Sequence, residues 1–278
     1  MRLNLNGLDF NVEIDGRGPP LLVLHGFTGS VRAWAEVRPA LAAFAQAIFV
    51  DAIGHGRSAT PRDAERYSLD WSTRDLTALL DALQIDTLDM LGYSMGGRAA
   101  LHFAIHAPER VKTLILESAS PGLEDTAERM KRVEADAALA DRIEQAGIAA
   151  FVDEWATLPL LQPAPHVSAA ARAEQHAQRL GNNPLGLANS LRGMGTGQQA
   201  PLWSRLPQFE QPVQLIVGEL DARYRQIGAR MQSLLPQADL AVVPNAGHTV
   251  HLDQPAHFVR LVESALVQPV NRDAPLKP

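Results

Sequence analysis

The clearest pattern in the sequence is a series of short, largely apolar runs separated by longer amphipathic segments. The runs occupy residues 21–24, 47–50, 87–91, 111–117, 213–217 and 239–243. Runs of this kind are typical of strands buried on both faces of a parallel sheet. Residues 72–83, between two of the runs, place leucines at helical spacing. The alternation predicts an α/β fold with a mostly parallel, doubly wound sheet, whose sites lie at the carboxyl ends of the strands.

Two further segments near the N-terminus have recognisable patterns. Residues 3–14 contain two short strand-like stretches that meet at Asn6-Gly7, which predicts a hairpin at the edge of the sheet. Residues 34–44 are rich in alanine and predict one helix, although they contain Pro39. The buried strands on either side of this segment follow from the apolar runs.

The alternation stops between residues 121 and 203. This stretch contains helical patterns and Pro/Gly loops but no convincing strand. The predicted helices span residues 124–146, 148–155, 168–180 and 185–192. We therefore expect a helical cap at 121–203, inserted into a core formed by residues 1–120 and 204–267. Residues 268–278 contain three prolines and predict a flexible tail.

Composition narrows the class of protein. The 278 residues are 46% hydrophobic and 20% charged, as in ordinary soluble proteins, and no run is long enough to span a membrane. The net charge of −6 argues against a nucleic-acid partner. The absence of cysteine excludes disulfides and thiolate metal sites. The first ten residues lack a signal-peptide core, so we expect the protein in the cytoplasm. We also expect a monomer or weak homo-oligomer that acts on a small molecule.

The candidate chemistry begins with a Gly-x-Ser-x-Gly pattern formed by Gly92, Ser94 and Gly96. An apolar strand precedes it and a helix-forming segment follows. In this context the pattern predicts a nucleophile elbow, a tight turn that projects the serine hydroxyl above the carboxyl edge of a sheet. Both glycines suit the close approach of strand and helix. A serine in a glycine-rich turn without a catalytic role is the alternative.

Two residues farther along the chain complete a possible catalytic triad. Asp221 and His248 each follow a predicted strand, in the order nucleophile, acid, histidine. The histidine would accept the Ser94 proton, and the aspartate would orient the imidazole and stabilise its charged form. Taken singly, Asp221 could cap the next helix and His248 could be a loop histidine. Three correct placements together favour the triad.

An oxyanion hole requires two backbone N–H donors near the nucleophile. We predict Met95, which follows Ser94, and Phe27, in the loop after an early strand. His25 and His55 are expected to shape loops.

Other histidines resemble metal ligands only in part. His102 and His106 are four residues apart, but the glutamate of a zinc protease motif is missing. His248 and His251 are three residues apart and have no evident third ligand. The sequence therefore predicts no metal and no cofactor.

Several motifs beyond the elbow resemble those of one enzyme family. They lie at residues 92–98, 116–123, 128–132 with Asp136, 151–155, 190–197, 218–221 and 246–251. Across residues 3–267 the chain resembles the α/β-hydrolase fold, and within it the MenH-type 2-succinyl-6-hydroxy-2,4-cyclohexadiene-1-carboxylate synthases. The resemblance implies a lyase of menaquinone biosynthesis that eliminates pyruvate from 2-succinyl-5-enolpyruvyl-6-hydroxy-3-cyclohexene-1-carboxylate. Ser94 would then act as a base, and the oxyanion donors would stabilise charge developing on the ring carboxylate.

The resemblance also implies a set of substrate-binding residues. Because the substrate carries several carboxylates, arginines are expected in the site. The matching positions are Arg98, Arg132 and Arg179, with Tyr93 and Trp155 lining the pocket. Arg192 is an alternative to Arg179. The sequence departs from the family pattern at Tyr224, where phenylalanine is expected.

A second interpretation of the same triad is a serine carboxylesterase or carbon–carbon bond hydrolase, with Ser94 as a covalent nucleophile. Several arginines facing Ser94 would favour the polycarboxylate lyase, whereas an apolar pocket would favour an ester substrate. A ligand receptor without catalytic activity is disfavoured by the complete triad.

Overall fold

The computed structural model describes residues 1–267, which contain an eight-stranded sheet in the order β1-β2-β4-β3-β5-β6-β7-β8. The strands are β1 (Arg2–Leu5), β2 (Leu8–Asp15), β3 (Pro20–Leu24), β4 (Gln46–Val50), β5 (Leu88–Tyr93), β6 (Val111–Glu117), β7 (Val213–Gly218) and β8 (Ala238–Val243). β1 and β2 are antiparallel to their neighbours, and the other strand pairs are parallel. The predicted edge hairpin and the mostly parallel sheet are both confirmed.

Nine α-helices connect or follow these strands in the described part of the chain. They are α1 (Arg38–Phe44), α2 (Leu69–Ala82), α3 (Met95–His106), α4 (Thr126–Ala156), α5 (Ala169–Leu180), α6 (Pro184–Met194), α7 (Ala222–Leu234), α8 (Val250–Asp253) and α9 (Pro255–Val267). None of the helices within residues 1–267 is long and apolar enough to cross a membrane.

Burial explains why the strands are almost continuously apolar. Alternate residues of β3 enter two different hydrophobic clusters: Leu22 belongs to one and Leu21 to the other. The first cluster packs against α2, α3 and α7, and the second against α1 and α9. Since helices cover both faces, both sets of side chains leave water, and polar residues are unnecessary on either face.

One helix begins later than the sequence predicts. Instead of a single helix over 34–44, a short 3₁₀ helix spans Val31–Trp34 and α1 begins at Arg38. Pro39 explains the difference, because proline has no N–H group and its ring collides with a preceding helical turn. It is accommodated only in the first turn, where it lies here. The predicted tail at 268–278 lies outside the described residues.

The segment between β6 and β7 contains helices α4, α5 and α6 and lies beside the loop that follows β3. The helical axis of α4 is interrupted at Gly147, whose φ of 78° is outside the helical region. This is the position at which the sequence predicts separate helices. Ile143 and Phe151, on either side of the break, pack against Leu187 of α6, with Phe27 at the border of the cluster. The helices therefore lie over the carboxyl edge of the sheet.

Candidate active site

The turn between β5 and α3 places Ser94 in an unusual backbone conformation, with φ 51° and ψ −108°. Its N–H donates a hydrogen bond to the carbonyl of Glu117 at 2.8 Å. A Cβ atom on Gly96 would lie 2.3 Å from the carbonyl oxygen of Leu24, and one on Gly92 would lie 2.5 Å from that of Gly96. Only glycine allows strand and helix to approach so closely, and the turn holds Ser94 at the start of α3.

Ser94, His248 and Asp221 form one hydrogen-bonded chain. His248 Nε2 lies 3.0 Å from Ser94 Oγ, and His248 Nδ1 lies 2.7 Å from Asp221 Oδ2. Because a carboxylate only accepts, Nδ1–H donates to Asp221, which leaves Nε2 free to accept the serine proton. The second oxygen of Asp221 accepts from the Tyr224 N–H at 3.1 Å. Asp221 thus caps α7 and also orients His248, so the two interpretations of this residue are compatible.

Two backbone amides next to the serine are available to an incoming oxygen. Phe27 and Met95 both border the cavity that contains Ser94. Their N–H groups find no hydrogen-bond acceptor within residues 1–267. The Met95 amide has no acceptor because Met95 is the first residue of α3, where no preceding turn supplies a carbonyl. The Phe27 amide has none because Phe27 lies beyond the end of β3, outside the sheet. The arrangement fits an oxyanion hole.

The loop that carries Phe27 is held by buried histidines. His25 Nδ1 donates to the carbonyl of Gly26 at 2.8 Å, and His25 Nε2 accepts from the Ala52 N–H at 3.0 Å. Burial lowers the pKa of His25 and also that of His55, the latter to about 3. Both rings are therefore neutral at physiological pH, and His25 connects the loops after β3 and β4.

The cavity above Ser94 has a volume of about 280 Å³ and contains Arg98 in its wall. Arg98 is 8% exposed, and Nη1 donates to the carbonyl of Met194 at 2.8 Å and to Gln199 Oε1 at 3.3 Å. No carboxylate in the described residues forms an ion pair with it. Burial lowers the pKa of Arg98 to about 10. The guanidinium thus remains charged at neutral pH, in a place where an anionic ligand would stabilise it.

Arg132 of α4 also lines the cavity. Its Nε donates to Asp136 Oδ1 at 2.8 Å, one helical turn away. Asp136 is buried and its Oδ2 has no hydrogen-bond partner among the residues described; burial raises the pKa of this carboxyl. The aspartate therefore directs Arg132 toward the cavity and offsets part of its charge.

The structure separates the two candidates for the third arginine. Arg179 does not line the cavity but an adjoining cleft of about 60 Å³, and Tyr93 borders both spaces. Its guanidinium makes no hydrogen bond or ion pair within residues 1–267, and burial lowers its pKa. Arg192, in contrast, binds Asp141 and Glu144, each at 2.6 Å. Arg192 is therefore occupied by acidic side chains, and Arg179 is the free cation.

The two aromatic residues expected in the pocket both border the cavity. The Tyr93 hydroxyl lies 2.8 Å from Thr249 Oγ1, and its ring packs 5.5 Å from that of His248. Trp155 meets Phe27 edge to face, with ring centroids 5.4 Å apart. The contact between Trp155 and Phe27 connects α4 to the loop that carries the Phe27 amide.

Sequence patterns missed a second buried pair behind the triad. Glu117 is fully buried at the end of β6, where its Oε1 accepts from the His251 N–H at 3.0 Å and its Oε2 pairs with His251 Nδ1 at 2.7 Å. The carbonyl of Glu117 accepts the hydrogen bond from the Ser94 N–H. The available signal was a glutamate directly after the apolar run of residues 114–116. Glu117 connects the elbow to the loop that carries His248.

The fold and this geometry define a protein of the α/β-hydrolase class: a serine on a strand–helix turn, followed along the chain by an acid after β7 and a histidine after β8. The sequence profile of the alpha/beta hydrolase fold family matches residues 19–255.

Comparison with individual proteins narrows the class. The chain is 42% identical over 246 residues to a Bacillus subtilis (strain 168) protein provisionally named 2-succinyl-6-hydroxy-2,4-cyclohexadiene-1-carboxylate synthase, covering 88% of this chain and 89% of that protein. It is 32% identical to the synthase of that name from Klebsiella pneumoniae (strain 342), covering 89% and 94%. The structure of MenH from S. aureus superposes with a TM-score of 0.88 at 31% identity, covering 94% of this chain and 99% of that one. The chain belongs to this synthase family within the α/β-hydrolase fold.

Proposed function

We propose that the protein is a carbon–oxygen lyase of menaquinone biosynthesis. It would eliminate pyruvate from 2-succinyl-5-enolpyruvyl-6-hydroxy-3-cyclohexene-1-carboxylate and release 2-succinyl-6-hydroxy-2,4-cyclohexadiene-1-carboxylate. Support comes from relatives that carry the name of this synthase and that this chain matches over nearly their whole length.

The observation that carries the proposal is an unpaired cation beside the serine. Arg98 borders the same cavity as Ser94, is buried, and has no carboxylate partner in residues 1–267. A buried charge without a partner is unfavourable, so such a residue is expected where a ligand supplies the counter-charge. The proposed substrate carries three carboxylates. Arg132 lines the same cavity, and Arg179 lines the adjoining cleft. An ester with an apolar acyl chain would require none of them.

In the proposed reaction Ser94 acts as a base. Its hydroxyl proton passes to His248 as the serine oxygen removes the proton at C2 of the ring. The C2–H electrons form the C2=C3 bond, the C3=C4 electrons move to C4=C5, and the C5–O bond breaks. The leaving enolpyruvate takes up the proton that His248 received and becomes pyruvate, which returns His248 to its neutral form. No acyl-enzyme forms, and no water is consumed.

The neighbouring groups would each stabilise one part of this process. Asp221 orients His248 and stabilises its imidazolium while it holds the serine proton. The N–H groups of Phe27 and Met95 would bind the ketone oxygen of the succinyl group, on which negative charge develops as the C2–H bond breaks. The ring carboxylate is attached to C1 and does not take up this charge. Arg98 and its neighbours would hold the carboxylates, which places C2 over Ser94.

Two products can be measured in one experiment. Wild-type protein given enzymatically prepared substrate should release pyruvate, measured by coupled NADH oxidation. The conjugated diene, measured by its ultraviolet absorbance, should form at the same rate. Ser94→Ala should lose both signals, because the base is missing. A rate no higher than spontaneous elimination would refute the proposal.

Turnover of p-nitrophenyl acetate tests the alternative chemistry. Fast ester hydrolysis that disappears in Ser94→Ala, together with absence of the diene, would identify a hydrolase.

We also propose that the helices between residues 121 and 203 act as a cap that selects the substrate. The location in the cytoplasm and the monomeric or weakly associated state belong to the same proposal and rest on the sequence. Cell fractionation and sedimentation analysis would measure them.

A further inference from the structure

Tyr224 occupies a special position in the candidate site. It lies in the first turn of α7, three residues after Asp221, and its ring packs 4.6 Å from that of His248. The same residue borders the cavity that contains Ser94 and Arg98. Its side chain is therefore adjacent both to the triad and to the proposed carboxylate-binding cation.

The hydroxyl of Tyr224 differs from those of the other two tyrosines. Tyr67 donates to the carbonyl of Pro61 at 2.9 Å, and Tyr93 pairs with Thr249 at 2.8 Å. Tyr224 Oη makes no hydrogen bond within residues 1–267. The side chain is partly buried, and its hydroxyl oxygen is not fully enclosed by protein. Since Tyr224 lines the cavity, a ligand there can accept the hydrogen bond that no protein group in residues 1–267 accepts.

The charges around Tyr224 show which kind of ligand fits. Arg98 and Tyr224 border the same cavity. Burial has the largest effect on the pKa of Tyr224; among the charged groups Arg98 has the largest, followed by Arg223, Asp221 and Arg132. Burial raises the pKa of Tyr224, so the phenol keeps its proton at neutral pH and can donate a hydrogen bond. A donor beside an unpaired guanidinium matches a carboxylate.

We propose that Tyr224 Oη donates a hydrogen bond to the substrate carboxylate that Arg98 binds. The inference rests on the proposed function and adds one residue to its binding site. A phenylalanine here could pack on His248 but could not donate, so the hydroxyl is the part of this side chain that has a role in substrate affinity.

The test is Tyr224→Phe, which removes the hydroxyl and keeps the ring on His248. We expect the KM for diene formation and the Kd of the purified diene product to rise about 10- to 100-fold, as for a lost hydrogen bond to a charged group. The Kd can be followed by tryptophan fluorescence, because Trp155 borders the cavity. KM and Kd values within twofold of wild type would overturn the proposal.

Tyr67→Phe is the matched control, because it removes a hydroxyl that has a protein partner and belongs to a residue that does not line the cavity. It should lower the Tm and leave KM unchanged. Tyr224→Phe should show the reverse, with an unchanged or higher Tm and a raised KM. A lower Tm with unchanged KM in Tyr224→Phe would indicate a structural hydroxyl and overturn the proposal.

The product-binding measurement separates this inference from the proposed function. Wild-type protein that binds the diene product but does not form it would refute the lyase function, while the ratio of Kd values still decides the role of Tyr224. A protein that forms the diene but is indifferent to Tyr224→Phe refutes only the inference. Failure of wild-type protein to bind the product at all would overturn both.

Discussion

Replacing Arg98 by methionine should weaken substrate binding strongly and destabilise the folded protein little or not at all. Methionine has a similar length and no charge, so it can fill the same space. The Arg98 side chain has no acidic partner in residues 1–267, and within them its guanidinium donates hydrogen bonds only to Met194 and Gln199. Most buried substitutions remove favourable contacts, but this one also removes an unfavourable buried charge.

The magnitude follows from the pKa of Arg98, which falls from 12.5 to about 10 through burial. At 1.36 kcal/mol per unit, the shift corresponds to roughly 3 kcal/mol of instability. Since the folded-state pKa is the lower one, the effect is present in full below about pH 10 and disappears as the pH rises above it. Loss of the donor to Met194 and Gln199 opposes this by about 1–3 kcal/mol. We therefore expect the unfolding free energy to change by between 0 and about +2 kcal/mol.

Substrate binding should respond in the opposite direction. Removal of a charge-assisted hydrogen-bonding partner is worth about 1.5–3 kcal/mol, so KM should rise roughly 10- to 100-fold. Urea titration measures the stability and diene formation measures KM. Arg98→Lys keeps the charge without the planar fork and should give an intermediate KM.

Arg192→Met is the matched control, because Arg192 is an arginine with 27% of its side chain exposed, and its acidic partners are Asp141 and Glu144. It should leave KM unchanged and reduce stability by less than about 1 kcal/mol. The reasoning is wrong if Arg98→Met loses more than about 2 kcal/mol of stability at unchanged KM, since Arg98 would then be a structural cation.

Two further predictions concern buried groups near the site. Glu117→Gln replaces the carboxylate that pairs with His251 Nδ1 by an amide. The variant should have a lower kcat and a shifted pH profile of kcat, at unchanged KM. A pH profile identical to that of wild type would contradict a role of Glu117 in positioning the site. The pKa of His55 is about 3 when folded and 6.5 when unfolded, so the unfolded chain binds the extra proton between these values. The contribution of His55 to the unfolding free energy should therefore fall by about 1.4 kcal/mol for each pH unit below 6.5. Urea titrations at several pH values should show that the unfolding free energy of His55→Gln depends less steeply on pH, by that amount. An equal dependence in the two proteins would contradict the low pKa of His55.

The elements that sequence predicts well are those with local causes. Apolar runs predicted the parallel strands because helices cover both faces of the sheet, and Gly147 marked the break in α4 because its φ is positive. The placement of Ser94 followed from glycines that only a tight strand–helix contact requires. The late start of α1 also has a local cause in Pro39, although the alanine-rich pattern concealed it.

Sequence order also indicated Asp221 and His248, since each follows a strand and parallel strands end at one edge. It could not show that Asp221 caps α7 and orients His248 at the same time. The two carboxylate oxygens take different partners, which is a matter of side-chain geometry.

The sequence by itself thus determined the fold, the elbow and the order of the triad, because these depend on periodicity and on neighbouring residues. Only the tertiary structure decided which arginines face the cavity. Arg98 meets Met194, 96 residues away, whereas Arg192 is neutralised by Asp141 and Glu144 of α4. The charge, burial and free hydrogen-bonding capacity of a side chain depend on segments brought together by folding, and no local pattern encodes them.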